Sequence, residues 1–172
     1  MSPDIIFNAH LVLGYLACFL CFNVYVWPRL KSMEAFEAQR VIATIHSFRF
    51  FGLVFILPGV VGPNLPVSFA TFAAYGDLAT GVLALLALLT TRIRPLFRTL
   101  AVAFNVVGMA DLVLDYYLAV RSGLPAIAGQ LGATYVIPII YVPALMITHI
   151  AAFYLLLRSE PRAAMAGDVA TS

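Results

Sequence analysis

Four ionisable side chains, Arg49, Asp77, Asp111 and Asp115, stand inside stretches of sequence that otherwise read as bilayer-spanning helix. A charge near mid-bilayer costs from about 2.5 kcal/mol upward, so such groups face a bundle interior and serve ion paths, proton relays or ligands. The run His46-Ser47-Phe48-Arg49-Phe50-Phe51-Gly52 sets an imidazole three residues before the guanidinium, on one helical face. At about 1.5 Å per residue, Arg49 lies roughly 12 Å into its helix, near mid-bilayer. The expectation is that it points inward and pairs with a carboxylate instead of snorkelling to the headgroups. Asn105, Gly108, Asp111 and Asp115 fall within about a third of a helix circumference and supply that partner. One arginine cannot neutralise three carboxylates, so an Arg49–Asp111 pair leaves Asp77 needing a hydrogen bond, a proton or a ligand. The chemistry open to the set is acid–base, with Asp77 and Asp111 exchanging the proton. His46, Arg49, Asn105, Asp115, Tyr141 and His149 are the candidates for holding a ligand. The competing reading is a structural ion network that only fixes helix register.

His46 and His149 fall at comparable depths in their helices, so a bis-histidine haem site between them is geometrically open, while His10 lies near the opposite end. Each histidine serves equally as a hydrogen-bonded packing residue. No H-x-x-x-H or E-x-x-H spacing marks a metal site. Cys18-Phe19-Leu20-Cys21 has the redox spacing, but a thiolate inside an apolar span is poorly solvated, and two small packing residues are the better account. The only lysine, Lys31, falls in a loop, which excludes a retinal Schiff base within a span.

The elements that position these groups follow from counting apolar runs against the about 20 residues a crossing requires. Spans are expected over 5–27, 41–61, 70–91, 99–120 and 134–157, stopped respectively by Pro28-Arg29, the Pro58 to Pro66 cluster, Arg92 to Pro95, Arg121 to Gly123, and Arg158 with Pro161. The fold class expected is therefore all-α: one polytopic domain over 1–158, a bundle of five transmembrane helices. The small, polar tail, 159–172, is expected to be disordered. Arg29, Lys31, Arg40, Arg92, Arg94, Arg98, Arg158 and Arg162 all fall in the odd loops or the tail, against Arg121 alone in the even loops. That asymmetry puts the N-terminus outside and the C-terminus in the cytoplasm. Cell inner membrane, multi-pass, is the expected location, and no basic n-region or cleavage site suggests a removable signal.

Composition agrees: 63% of the 172 residues are hydrophobic and 10% charged, where soluble domains carry roughly 25% charged residues. A net charge of +2 spread over short loops excludes nucleic acid as a partner. No internal repeat supports an inverted-repeat transporter. Two stripes of small residues, His10, Gly14, Ala17 and Cys21 in the first span and Ala73, Asp77, Thr80, Gly81, Ala84 and Ala87 in the third, predict close helix packing. Pro138 and Pro143 predict kinks in the fifth span. The loop over 123–134 is expected to lie on the bilayer surface, with a lid over the outer mouth as the alternative.

The last four spans, Asp77 early in a helix, and a tyrosine- and proline-containing final helix ending Leu155-Leu156-Leu157-Arg158 resemble the layout of EXPERA-type proteins, the sterol isomerase and sigma-2 receptor group. The likeness is one of layout, with the first span additional, and it implies a pocket for lipophilic ligands beside intramembrane carboxylates. Three functions follow from the residues. The first is a pocket binding a small lipophilic molecule, with or without acid–base chemistry. The second is a proton-coupled carrier of a small solute, which at this size needs a homo-oligomer. The third is a non-catalytic subunit or assembly factor.

Overall fold

The computed structural model describes residues 1–158; the tail expected to be disordered lies outside them. The described residues form an all-helical bundle with no strand. Helix α1 spans Pro3–Ser32, α2 Ala35–His46, α3 Val67–Leu89, α4 Arg94–Arg121 and α5 Ile137–Arg158. Of these, α1, α3, α4 and α5 are long and apolar enough to cross a membrane. In the expected second span, α2 has 12 residues and passes without a break into a 3-10 segment of 10, Ser47–Ile56.

That 3-10 segment decides the architecture of the interior. Runs beyond 3–4 residues are uncommon, and in them side chains at i and i+3 eclipse one another. His46, Arg49, Gly52 and Phe55 follow that period and are buried as one straight stripe, while Phe48, Phe50 and Phe51 face outward. Across the stripe runs α3, whose small-residue face, Ala73, Asp77, Thr80, Gly81, Ala84 and Ala87, is buried as its spacing predicts. A side chain at Gly81 would bring its Cβ within 2.8 Å of the Phe50 nitrogen, so the two backbones approach as closely as glycine permits.

Prolines act differently from the simple stops read in the sequence. Pro28 does not end the first helix, which continues to Ser32 through a π turn at Phe22–Val26. The wider turn moves the carbonyls that a proline ring would meet. Pro95 does not stop a helix but starts one, standing in the first turn of α4, where its missing N–H is no loss. In α5 a second π turn, Ile137–Tyr141, precedes Pro143. Pro143 cannot bond the Ile139 carbonyl, which lies where a Cβ on Gly14 would be, so α1 packs through its glycine onto the freed carbonyl. Cys18 Sγ donates to the next carbonyl, Ile140, at 3.6 Å.

The segment expected to lie on the bilayer is instead packed onto the bundle. Leu124–Tyr135 forms a kinked 3-10 cap with Leu124, Ala128, Leu131 and Thr134 buried. Gln130, its one polar long side chain, fixes it: the Gly62 nitrogen donates to the Gln130 carbonyl at 2.7 Å, and Asn64 N–H to its Oε1 at 3.1 Å. The bundle thus has a capped end and, opposite, an end bearing Arg29, Lys31, Arg40, Arg94, Arg98 and Arg158. Helix α1 is peripheral, with Phe7 its one buried residue in Pro3–Cys21.

Candidate functional site

Arg49 is wholly buried, and its guanidinium ties α3, α4 and α5 to the 3-10 segment. Nε donates to Asp77 Oδ1 at 2.6 Å, one terminal nitrogen pairs with Asp111 Oδ2, and the other donates to the Gly108 carbonyl at 3.3 Å and to His149 Nε2 at 3.2 Å. The planar fork suits this arrangement, since five donors diverge from one rigid group. Three glycines open the space. A Cβ on Gly52 would overlap the Asp77 carboxylate, one on Gly76 the Asp111 carboxylate, and one on Gly108 the His149 ring.

Acceptance at Nε2 fixes the rest of the chain. His149 must carry its proton on Nδ1, and it donates from there to Asn105 Oδ1 at 2.8 Å. Asn105 Nδ2 donates to the Ala101 carbonyl at 2.8 Å and more weakly to Gln39 Oε1 at 3.5 Å; Gln39 Nε2 donates to the Ala152 carbonyl at 2.9 Å. His46 lies on His149, ring centroids 3.9 Å apart, and its Nε2 meets Thr148 Oγ1 at 3.0 Å. The Thr148 hydroxyl already donates to carbonyls of its own helix, so His46 is the donor and its Nδ1 is bare.

The structure therefore joins Arg49, Asp77, Asp111, His149, Asn105 and His46 in one continuous network. Asp115 stands about one turn above Asp111 on α4 and is not bonded to Arg49. The Tyr141 hydroxyl is buried within range of the Asp77 and Arg49 charges, its ring edge-on to Phe51 at 6.4 Å. Among the described residues, Asp111 Oδ1, Asp115 Oδ1, Tyr141 OH and His46 Nδ1 have no hydrogen-bond partner. Sequence reasoning missed Gln39, which is 2% exposed. The signal was present: it precedes His46 by seven residues, two turns along the same face.

Under the cap lies a cavity of about 80 Å³. Its walls are apolar, from Phe7 and Leu11 of α1, Phe55, Phe69 and Ile137, and its floor carries Asp77 and Asp115. Its rim includes the exposed Asn8 of α1 and Val120 of α4, helices otherwise bridged by the Tyr15–Tyr116 hydroxyl pair at 2.8 Å. Arg49, His46, Asn105 and His149 do not line it; they lie sealed beneath Asp77. A second, larger cavity of about 450 Å³ opens at the arginine end, lined by Gln39, Phe36, Phe97, Arg94 and Arg98. Among the described residues, no cluster of His, Cys, Asp and Glu has the makeup of a metal site.

Residues 6–157 match the model of a family described as Domain of unknown function (DUF8737). The match spans most of the chain, which belongs to that family. No curated protein and no solved structure matches it.

Proposed function

We propose that this member of the DUF8737 family is a five-span membrane protein that binds a small lipophilic ligand in the cleft under its cap. The observation that carries the reading is the composition of that cleft: apolar walls ending on two carboxylates, one of which, Asp115, has a buried oxygen without a partner. Lipophilic sites are built this way, mostly apolar with a few convergent polar groups.

The fifth crossing is supported by length: at rises of about 1.5 and 2.0 Å per residue, α2 and the 3-10 segment extend about 18 and 20 Å, enough for the about 30 Å hydrocarbon core. It is supported also by Arg49, which reaches α3, α4 and α5 only if this rod runs beside them. Gathering of Arg and Lys at one end favours an inward-facing arginine end and an outward-facing cap in the cell inner membrane. The cleft then opens toward the outer leaflet.

Acid–base chemistry on a bound molecule falls to Asp77, which both lines the cleft and touches Arg49; Asp111 is sealed behind it. A proton-coupled carrier is less well supported. Beneath Asp77 the polar file passes through a guanidinium and the amides of Asn105 and Gln39, groups that hold their protons. Haem fits poorly too, because the His46 and His149 rings lie stacked against each other instead of facing across a gap.

Protein purified in mild detergent and analysed by native mass spectrometry should carry a lipophilic adduct, which Ala73→Phe, filling the cleft, should remove. A wild-type protein free of adduct and unable to take one up would overturn the reading, and a Soret band in its absorption spectrum would put haem in its place.

A further inference from the structure

Resting on the reading of the cleft as a lipophile site, we infer that its ligand is a single-chain amphiphile with an ammonium head, drawn sideways from the lipid between α1 and α4. Three observations converge on this chemistry. The first is charge. Asp77, Asp111 and Asp115 surround one cation, Arg49, and the hydrogen bonds of Arg49 go to Asp77, Asp111, the Gly108 carbonyl and His149. Asp115 receives no hydrogen bond from it; the residue lines the cavity, and its Oδ1 is buried without a partner. A buried carboxylate is satisfied by a cation or a hydrogen-bond donor, and an ammonium group brings both.

The second is size. About 80 Å³ is far below the roughly 300–1,000 Å³ of sites that enclose whole drug-sized molecules. It admits a compact head and the first carbons of a chain, and the remainder must stay outside. The third is the route. Helix α1 is bound to the cap and α5 through His10–Tyr135 and Gly14–Ile139, but to α4 by the Tyr15–Tyr116 hydroxyl pair. Asn8 and Val120 flank the opening at the cleft rim, and Val120 is 71% exposed on what is a lipid-facing surface in a bilayer. A tail leaving there stays in hydrocarbon while the head sits on Asp115, which lies six residues, or about 9 Å, from the end of α4.

The test is saturation binding of radiolabelled dodecylamine to the protein in phosphatidylcholine nanodiscs, with empty discs subtracted and dodecan-1-ol and dodecanoate as competitors. Dodecylamine is expected to bind saturably and at least tenfold more tightly than either competitor. Asp115→Asn should erase that preference, and Ala119→Phe, which fills the cleft but leaves every carboxylate, should abolish binding of all three. A second set of discs containing lysophosphatidylethanolamine, which has one chain, separates sources: displacement of the amine there identifies a lipid headgroup as the resident ammonium, and no displacement a free amine. Dodecan-1-ol or dodecanoate binding as well as the amine would overturn the ammonium assignment while leaving the lipophile cleft intact. No saturable binding of any of the three would overturn the cleft itself.

Discussion

Arg49 and Asp77 meet at 2.6 Å where the 3-10 segment crosses α3, and the contact exists because Gly52 has no side chain to hold the carboxylate away. The same guanidinium grips Asp111 on α4, so one residue closes three helix interfaces at once. Removing it should be severe: truncating one partner of a buried ion pair typically costs about 3–5 kcal/mol because the remaining charge is stranded. Arg49→Ala should lower the thermal unfolding midpoint strongly, and adding Asp111→Ala should recover part of the loss. Arg49→Lys should not rescue, since an ammonium cannot reach Asp77, Asp111 and His149 together. Additive losses in the double mutant would mean the pair is not coupled.

Glycines around the cluster give a sharper steric test. Gly76→Ala and Gly52→Ala place a methyl group where the Asp111 and Asp77 carboxylates sit, and overpacking of this kind costs about 1–3 kcal/mol. Gly129, on the cap with open space around it, should accept alanine without loss. Chemical denaturation of the three variants, compared pairwise, reads the difference; equal stability across all three would refute the close approach.

The histidine tautomers are fixed by their partners and can be observed directly. Nitrogen NMR of labelled protein should show His149 protonated on Nδ1 and His46 on Nε2. Asn105→Leu removes the acceptor of the His149 proton and should cost about 1–3 kcal/mol, the penalty of an unsatisfied buried donor. An unchanged His149 spectrum in that variant would break the proposed chain at its centre.

Much of this cluster was legible before any coordinates. An arginine and aspartates at bilayer depth have few alternatives to one another, so an Arg49–Asp111 pair follows from cost alone; Asp77, expected to be left over by that pair, is held by Nε of the same guanidinium. The equal depths of His46 and His149 left open either opposed ligands or hydrogen-bonded packing residues; the rings are stacked on each other, His46 hydrogen-bonded to Thr148 and His149 to Asn105 and Arg49. What escaped notice depends on backbone form. The three-residue recurrence of His46, Arg49, Gly52 and Phe55 is a 3-10 signature, but apolar composition suggested an ordinary α-helix. Pro28 read as a stop and Pro143 as a kink because sequence does not announce the π turn that precedes each of them. The cap was taken for surface because its apolar residues fit lipid as well as they fit a bundle, and Gln130 alone distinguishes the two.

Orientation is checked by reporter fusions. With the arginine end inward, a fusion at Ser68, just inside the start of α3, should report outside, and one at Ser172 should report inside. The reversed pattern would turn the cleft toward the cytoplasmic leaflet and move its ligand supply with it.

Asp115 separates a structural cluster from a site kept open for a ligand. Its neighbours Asp77 and Asp111 are held by Arg49, so replacing either by asparagine weakens a buried charge-assisted bond, and these are worth about twice a neutral one. Asp115 has no such bond to lose: the residue lines the cavity, and its buried Oδ1 has no partner. Exchange for the neutral, isosteric asparagine removes an uncompensated carboxylate from an apolar wall, so Asp115→Asn should leave the unfolding midpoint unchanged or raise it, while Asp77→Asn and Asp111→Asn lower it. A group that destabilises its own fold is retained where function uses it, the usual trade between stability and activity. Thermal unfolding of the three asparagine variants in one detergent decides the matter. If Asp115→Asn falls as far as the other two, Asp115 belongs to the Arg49 network, and the cleft floor has no spare carboxylate to offer.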